Sequence, residues 1–184
     1  MTIKAQEVFI SASVNVSKLF SDMKRFSYDS GWREEYRTRS PGAIDKTGAE
    51  SIMCLEAALY FATHVESIAD DVKLIAMHRK DKDGHECGHC ICLFKVNGAY
   101  GAYSHSNIAS LISLKPDYPS IESVIKFYMN SYLSSGYTPL YYGIYELEEL
   151  DEQGIEDWRD TDEDLSSFSD YLIENYQFEL TISG

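Results

Sequence analysis

The sequence predicts a single α+β domain, and three observations carry that prediction. An Asn97-Gly98 dipeptide lies between two alternating apolar runs. This pattern marks an antiparallel hairpin, because a type I′ turn needs positive φ at both central residues. Apolar stripes of helical period flank the hairpin, at 51–66 and at 120–134. The chain has 184 residues, 44% of them apolar, enough to bury one core.

The elements follow in order. Val16, Leu19, Phe20, Met23 and Phe26 have helical spacing, with Ser17 near the start. The stretch from Ser27 to Lys46 is polar and aromatic, carries Trp32, Arg33, Arg37 and Arg39, and reads as loop with a Ser40-Pro41-Gly42 break. Residues 51–66 predict the best helix, with Ile52, Leu55, Leu59 and Ala62 on one stripe. Capping by Ser51 or a neighbour puts Cys54 in its first turn. Strands are predicted from Val72 to Arg79, from Gly88 to Val96 and from Ala99 to Ser104, with a turn at Lys82-Asp83-Gly84. A helix follows from Ser120 to about Ser134, stopped by Gly136, and then a strand from Leu140 to Leu147. Thr161 is expected to cap a last helix with Asp162, Glu163 and Asp164 in its first turn.

The net charge is −14, and its distribution is uneven. Residues 140–184 hold 14 acidic side chains against 1 basic, whereas the rest of the chain is close to neutral. Nothing here neutralises phosphates, so a nucleic-acid ligand is excluded. The acidic quarter reads as a solvated face or as a docking surface for a basic protein partner. No run reaches the ~18 apolar residues of a membrane span, and the N-terminus is too polar for a signal-peptide core. Three of the four cysteines, Cys87, Cys90 and Cys92, crowd one predicted strand, where pairing among them is sterically poor. A reducing, cytoplasmic setting fits that usage.

Two residues carry the chemistry. A thiol in the first turn of a helix, as expected for Cys54, faces unpaired N–H groups and the positive end of the macrodipole, and both favour thiolate. On the predicted strand, His89, Ile91 and Leu93 share one face and Cys90, Cys92 and Phe94 the other. With a two-residue turn, Ile91 pairs with Ser104 and His89 with Ser106, so both serines fall on the His89 face and offer an orienting hydroxyl. His105 should point away from it. The segment His85-Glu86-Cys87-Gly88-His89-Cys90 contains a C-x-x-C flanked by His. A second ligand pair, which a structural zinc site would need, is lacking, and no metal or other cofactor is expected. The dense patch Tyr141-Tyr142-Gly143-Ile144-Tyr145 reads as strand residues packed on helices, or as a cleft wall.

These motifs, in their order, resemble a family of bacterial transglutaminase-like cysteine proteins of papain-like fold. The resemblance is carried by Ser40-Pro41, by CLEAALYFAT at 54–63 and by GHCICLFKVNGAYGAYSHSN at 88–107. It continues through PDYPSIESVIKFYMNSYL at 116–133 and DWRDTDEDL at 157–165. It implies that residues 1–184 form one transglutaminase-like domain, with the Cys-bearing helix packed on an antiparallel sheet that bears the His. Cys54 falls at the nucleophile and His89 at the general base. Where the wider transglutaminase pattern has Trp and Asp after the His, this chain has Tyr100 and Ser104. A neutral hydroxyl orients an imidazole but does not stabilise an imidazolium as a carboxylate does. Asn107 is a further candidate for a papain-like amide. The implied activity is cysteine-dependent acyl transfer on a protein or peptide-like substrate, without cofactor. The competing reading is a catalytically silent protein that binds a basic partner through its acidic quarter.

Overall fold

The computed structural model describes residues 15–30, 37–152 and 157–180. Trp32 and Arg33 lie outside them. Helix α1 is described over 15–22 and runs into a 3-10 turn at Met23–Arg25. Then come β1 (Ser27–Tyr28), α2 (Pro41–Thr47), β2 (Ser51–Ile52), α3 (Cys54–Val65), β3 (Asp71–Lys80), β4 (Glu86–Val96), β5 (Ala99–Ser104) and β6 (Leu114–Tyr118). The chain continues through α4 (Ile121–Ser134), β7 (Thr138–Glu146), α5 (Leu147–Glu152), α6 (Ser166–Glu174) and β8 (Phe178–Glu179). The fold is mixed α+β, as the sequence predicts.

Six strands form one antiparallel sheet in the order β6-β5-β4-β3-β7-β8. The β4–β5 hairpin turns at Asn97-Gly98, with φ of 54° and 82°. Val96 pairs with Ala99 and Ile91 with Ser104, the predicted register. The sheet is covered on both faces. Leu74, Ala76, Cys90, Cys92, Phe94 and Tyr103 point to one side, where α3, α6 and the Phe26 turn pack on them. Ile75, Met77, Ile91, Leu93 and Ala102 point to the other, under Val124, Ile125, Tyr128 and Tyr132 of α4. That two-sided burial explains why the β3 and β4 sequences read as nearly continuous apolar runs at their centres.

Four expectations need correction. Ser40-Pro41-Gly42 is no break but a helix start: Ser40 caps α2, its Oγ accepting from Ala43 N at 3.0 Å, with Pro41 at the first helical position. Helix α3 begins at Cys54, not at Ser51, because Ser51 and Ile52 pair with Ser27 and Tyr28 instead. Strand β5 ends at Ser104, so the His89–Ser106 pair does not form, and the Ser106 hydroxyl accepts from Ile108 N at 3.1 Å. The last helix opens at Ser166, and Asp162, Glu163 and Asp164 precede it rather than fill its first turn. Two of those acids are engaged elsewhere. Asp164 Oδ1 accepts from Thr38 N at 2.9 Å, Asp162 pairs with Lys46 at 2.7 Å, and Leu165 N donates to Thr38 O at 2.8 Å. Together with Gly42 N to Arg159 O at 2.7 Å, these bonds clasp 157–165 against the segment that leads into α2.

Candidate active site

Cys54 is the first residue of α3, and the start of that helix is held by the ion pair of a buried Glu56 with a partly buried Arg39. Glu56 is 1% exposed. Its Oε2 accepts from Met53 N at 2.9 Å, closing the helix N-terminus as a capping carboxylate does. Its two oxygens also accept from Arg39 Nε at 2.8 Å and Nη2 at 3.0 Å, and Oε1 from the Arg39 backbone N–H at 2.8 Å. Arg39 Nη2 additionally reaches Ser51 O at 2.8 Å. The Glu of the C-L-E-A run therefore fixes where the thiol sits.

His89 lies near the start of β4 and is 4% exposed. Its Nε2 is 2.9 Å from Ser104 Oγ. Ser104 lies opposite Ile91 in the ladder, so this is the diagonal, same-face contact that the hairpin register dictates. The Ser104 backbone is held in turn by Ser113, whose hydroxyl accepts from Ser104 N at 3.1 Å and donates to Ser104 O at 3.2 Å. Burial pushes the imidazole down to about 3, with the positive charge of Arg79 the next cause, so His89 is neutral at neutral pH. Asn107 is exposed beyond the end of β5, and among the described residues no hydrogen bond joins it to this pair. His105 turns the other way, as expected, with Nε2 3.2 Å from Ser27 O.

The thiol and the imidazole open on one pocket of about 100 Å³. Cys54, Gly88, His89 and Cys90 line it together with Tyr28 and Met53. Among the described residues no hydrogen bond joins Cys54 to His89. Strand alternation gives the reason. Helix α3 packs on the Cys90 side of the sheet, whereas His89 belongs with Ile91 and Met77 on the α4 side. The two groups therefore meet at the end of the strand, beside Gly88, rather than across a sheet face. The thiol differs from the sequence-based expectation too. Burial raises it above an ordinary cysteine, and the N–H groups of Cys90, Leu55 and Cys54 together with the charge of Arg79 offset that only in part. Desolvation outweighs the helix terminus here.

The far wall of the pocket was not foreseen. Ser169, Leu172, Ile173 and Tyr176 from α6 and its C-terminal end line it. The acidic quarter thus shares the pocket with the thiol, and none of the residues it brings there is acidic. The tyrosine patch on β7 supports that wall from behind: Tyr145 is buried, and its single O–H is shared between Leu172 O and Asn175 O, each at 2.9 Å. Cys87 and Cys90 fall on opposite faces of β4, so the C-x-x-C does not converge. The one convergent set of His, Cys or acidic ligand atoms among the described residues is Asp81, Asp83 and His85 at the β3–β4 turn. Its contacts are those of the turn itself, Asp81 Oδ1 accepting from Asp83 N and His85 N at 2.8 and 2.9 Å. Among the described residues no helix is long and apolar enough to cross a membrane.

The fold and site define a class: an α+β domain with a helix-start thiol and a strand-borne imidazole on one small pocket. No family model matches the chain, and no curated protein matches its sequence.

Proposed function

We propose that this protein is a cysteine-dependent acyl-transfer enzyme of the transglutaminase-like kind, acting on an amide, isopeptide or ester. The observation that carries the reading is the Ser104–His89 hydrogen bond beside a pocket that Cys54 also lines. With Nε2–H donating to Ser104, the lone pair of Nδ1 is the free acceptor, and the neutral imidazole is the form that takes a proton. Cys54 Sγ attacks the acyl carbon and its proton passes to His89 Nδ1. The imidazolium then protonates the departing amine or alkoxide, leaving a thioester on Cys54. Water or an amine releases the acyl group and restores the thiol. The N–H groups of Cys54 and Cys90 are the donors available to the developing oxyanion.

The second reading is the catalytically silent partner of a basic protein. The raised thiol favours it, as does the lack, among the described residues, of a Cys54–His89 hydrogen bond. One experiment separates the two. The protein is incubated with an acyl p-nitrophenyl ester, and the adduct is mapped by mass spectrometry. The enzyme reading expects acylation at Cys54, lost in Cys54→Ala and slowed in His89→Ala. An ester that leaves Cys54 unmodified, or that labels it equally well without His89, decides for the silent protein.

A further inference from the structure

Arg79 is a buried cation without an anion among the described residues. It is 8% exposed. Its Nη1 donates to Gly88 O at 3.3 Å and more weakly to Tyr132 Oη at 3.5 Å. Its Nε is buried with no acceptor among the described residues. The guanidinium lies over the rings of Tyr132 and Tyr137, 5.0 Å from each centroid. Other partly buried cations are answered: Arg39 by Glu56, Lys73 by Asp71 and Glu146. A guanidinium cannot neutralise itself by losing a proton, and an uncompensated buried charge is strongly destabilising. Such a residue belongs where a negative charge forms. Gly88, whose carbonyl Arg79 holds, lines the Cys54 pocket.

We propose that Arg79 is the counter-charge of the Cys54 thiolate, a positioning residue that stabilises the anion from behind Gly88, whose carbonyl it holds. The titratable groups that line the pocket with Cys54 are His89 and Cys90 from β4, Tyr176 after α6 and Tyr28 from β1, and the charge of Arg79 from β3 also acts on the thiol. None is a carboxylate. His89 is neutral, so Arg79 is the one standing positive charge in this set. Its charge draws Cys54 toward thiolate, against the larger effect of burial. The inference deepens the acyl-transfer reading, since it concerns the nucleophile of that site, but it does not need His89 to act as a base.

The test follows alkylation of Cys54 by iodoacetamide, with Cys87, Cys90 and Cys92 resolved by peptide mapping. Sulfur displaces iodide and no other reactant is needed. The rate rises with the thiolate fraction. On the acid side of the titration, a midpoint higher by one pH unit slows the reaction about tenfold. Arg79→Met is expected to slow alkylation at pH 8 by about tenfold and to move its midpoint upward, while Arg79→Lys stays near the wild type. Circular dichroism and thermal unfolding report whether Arg79→Met is folded. If it is not, the wild-type protein answers. Iodoacetate carries a negative charge, so its rate relative to iodoacetamide should exceed the same ratio for a small free thiol, although the chain is at −14. A folded Arg79→Met with an unmoved midpoint, or a wild-type ratio no higher than that of the free thiol, overturns the assignment. Because no turnover is involved, Arg79-dependent alkylation without ester acylation would leave this inference standing and remove the acyl-transfer reading.

Discussion

Replacing Glu56 with Ala should be among the most damaging changes to this fold. The carboxylate is 1% exposed and accepts four hydrogen bonds, three from Arg39 and one from the first N–H of the α3 cap. Truncation strands the Arg39 guanidinium, which is only 24% exposed, and opens the helix end that carries Cys54. Breaking a buried pair by removing one partner costs about 3–5 kcal/mol. For a chain of this size that corresponds to roughly 10 °C in Tm. Glu56→Gln keeps an acceptor for Met53 N but loses the charge, so its loss should be distinctly smaller. Urea unfolding of both variants reads the difference, and Cys54 alkylation reads the site, which should lose protection in Glu56→Ala below global unfolding. A cost for Glu56→Ala of under about 1 kcal/mol, the range of a surface ion pair, would refute the argument that this pair anchors the thiol.

The remaining predictions concern other parts of the structure. His89 titrates at about 3 in the fold and near 6.5 in the unfolded chain. The unfolded state therefore binds the extra proton between those values, and this contribution to stability is full above pH 6.5 and lost as pH falls toward 3. Denaturant titrations at about pH 7 and about pH 4.5, on either side of the unfolded midpoint, should show a larger loss in the wild type than in His89→Gln, and equal losses would contradict the assignment. Gly143→Ala should cost about 1–3 kcal/mol by overpacking, because a Cβ there overlaps the Tyr145 ring. The damage should appear as faster Cys54 alkylation, since Tyr145 holds α6 over the pocket. Asp164→Ala should cost about 1–3 kcal/mol by stranding Thr38 N, whereas Asp162→Asn, whose pair with Lys46 is about 70% exposed on both sides, should stay within about 0.5 kcal/mol. Thermal unfolding of the two variants side by side checks that contrast.

The central hairpin was legible because its signals are local. Asn97-Gly98 fixes the turn, the turn fixes the register, and the register puts Ser104 on the His89 face. The α4 stripe was legible for the same reason, from Ser120 at its cap to Gly136 at its stop. Strand β6 was not, since Lys115, Pro116 and Asp117 give it no apolar alternation, and proline suits an edge strand there. The two-residue β1–β2 pair and β8 are too short to leave a pattern. What the sequence hides most thoroughly is partnership across long separations. Glu56 reads as an ordinary helix former until Arg39 is placed beside it. Arg79 reads as the polar end of a strand until α4 is laid over it. The acids at 162–164 mimic a helix start so well that the ties to Lys46 and Thr38 cannot be seen. Alternation did separate His89 from Cys90, but which face α3 would choose depends on packing that no local pattern records.

The clasp between 157–165 and the approach to α2 joins residues far apart in sequence, as in the bond from Thr38 N to Asp164, 126 positions on. Closing so large a loop gains nothing until both ends arrive, which places this contact late in folding. The pocket inherits that timing, because α6 follows directly on the clasp. In a partly folded chain the β3–β4–β5 sheet and α3 can already present Cys54, but without its far wall. The thiol is then closer to an ordinary, reactive cysteine than it is in the finished domain. Thiol protection in this protein is therefore a record of completed folding, and the time course of Cys54 protection during refolding should follow the docking of the C-terminal segment rather than the formation of the sheet.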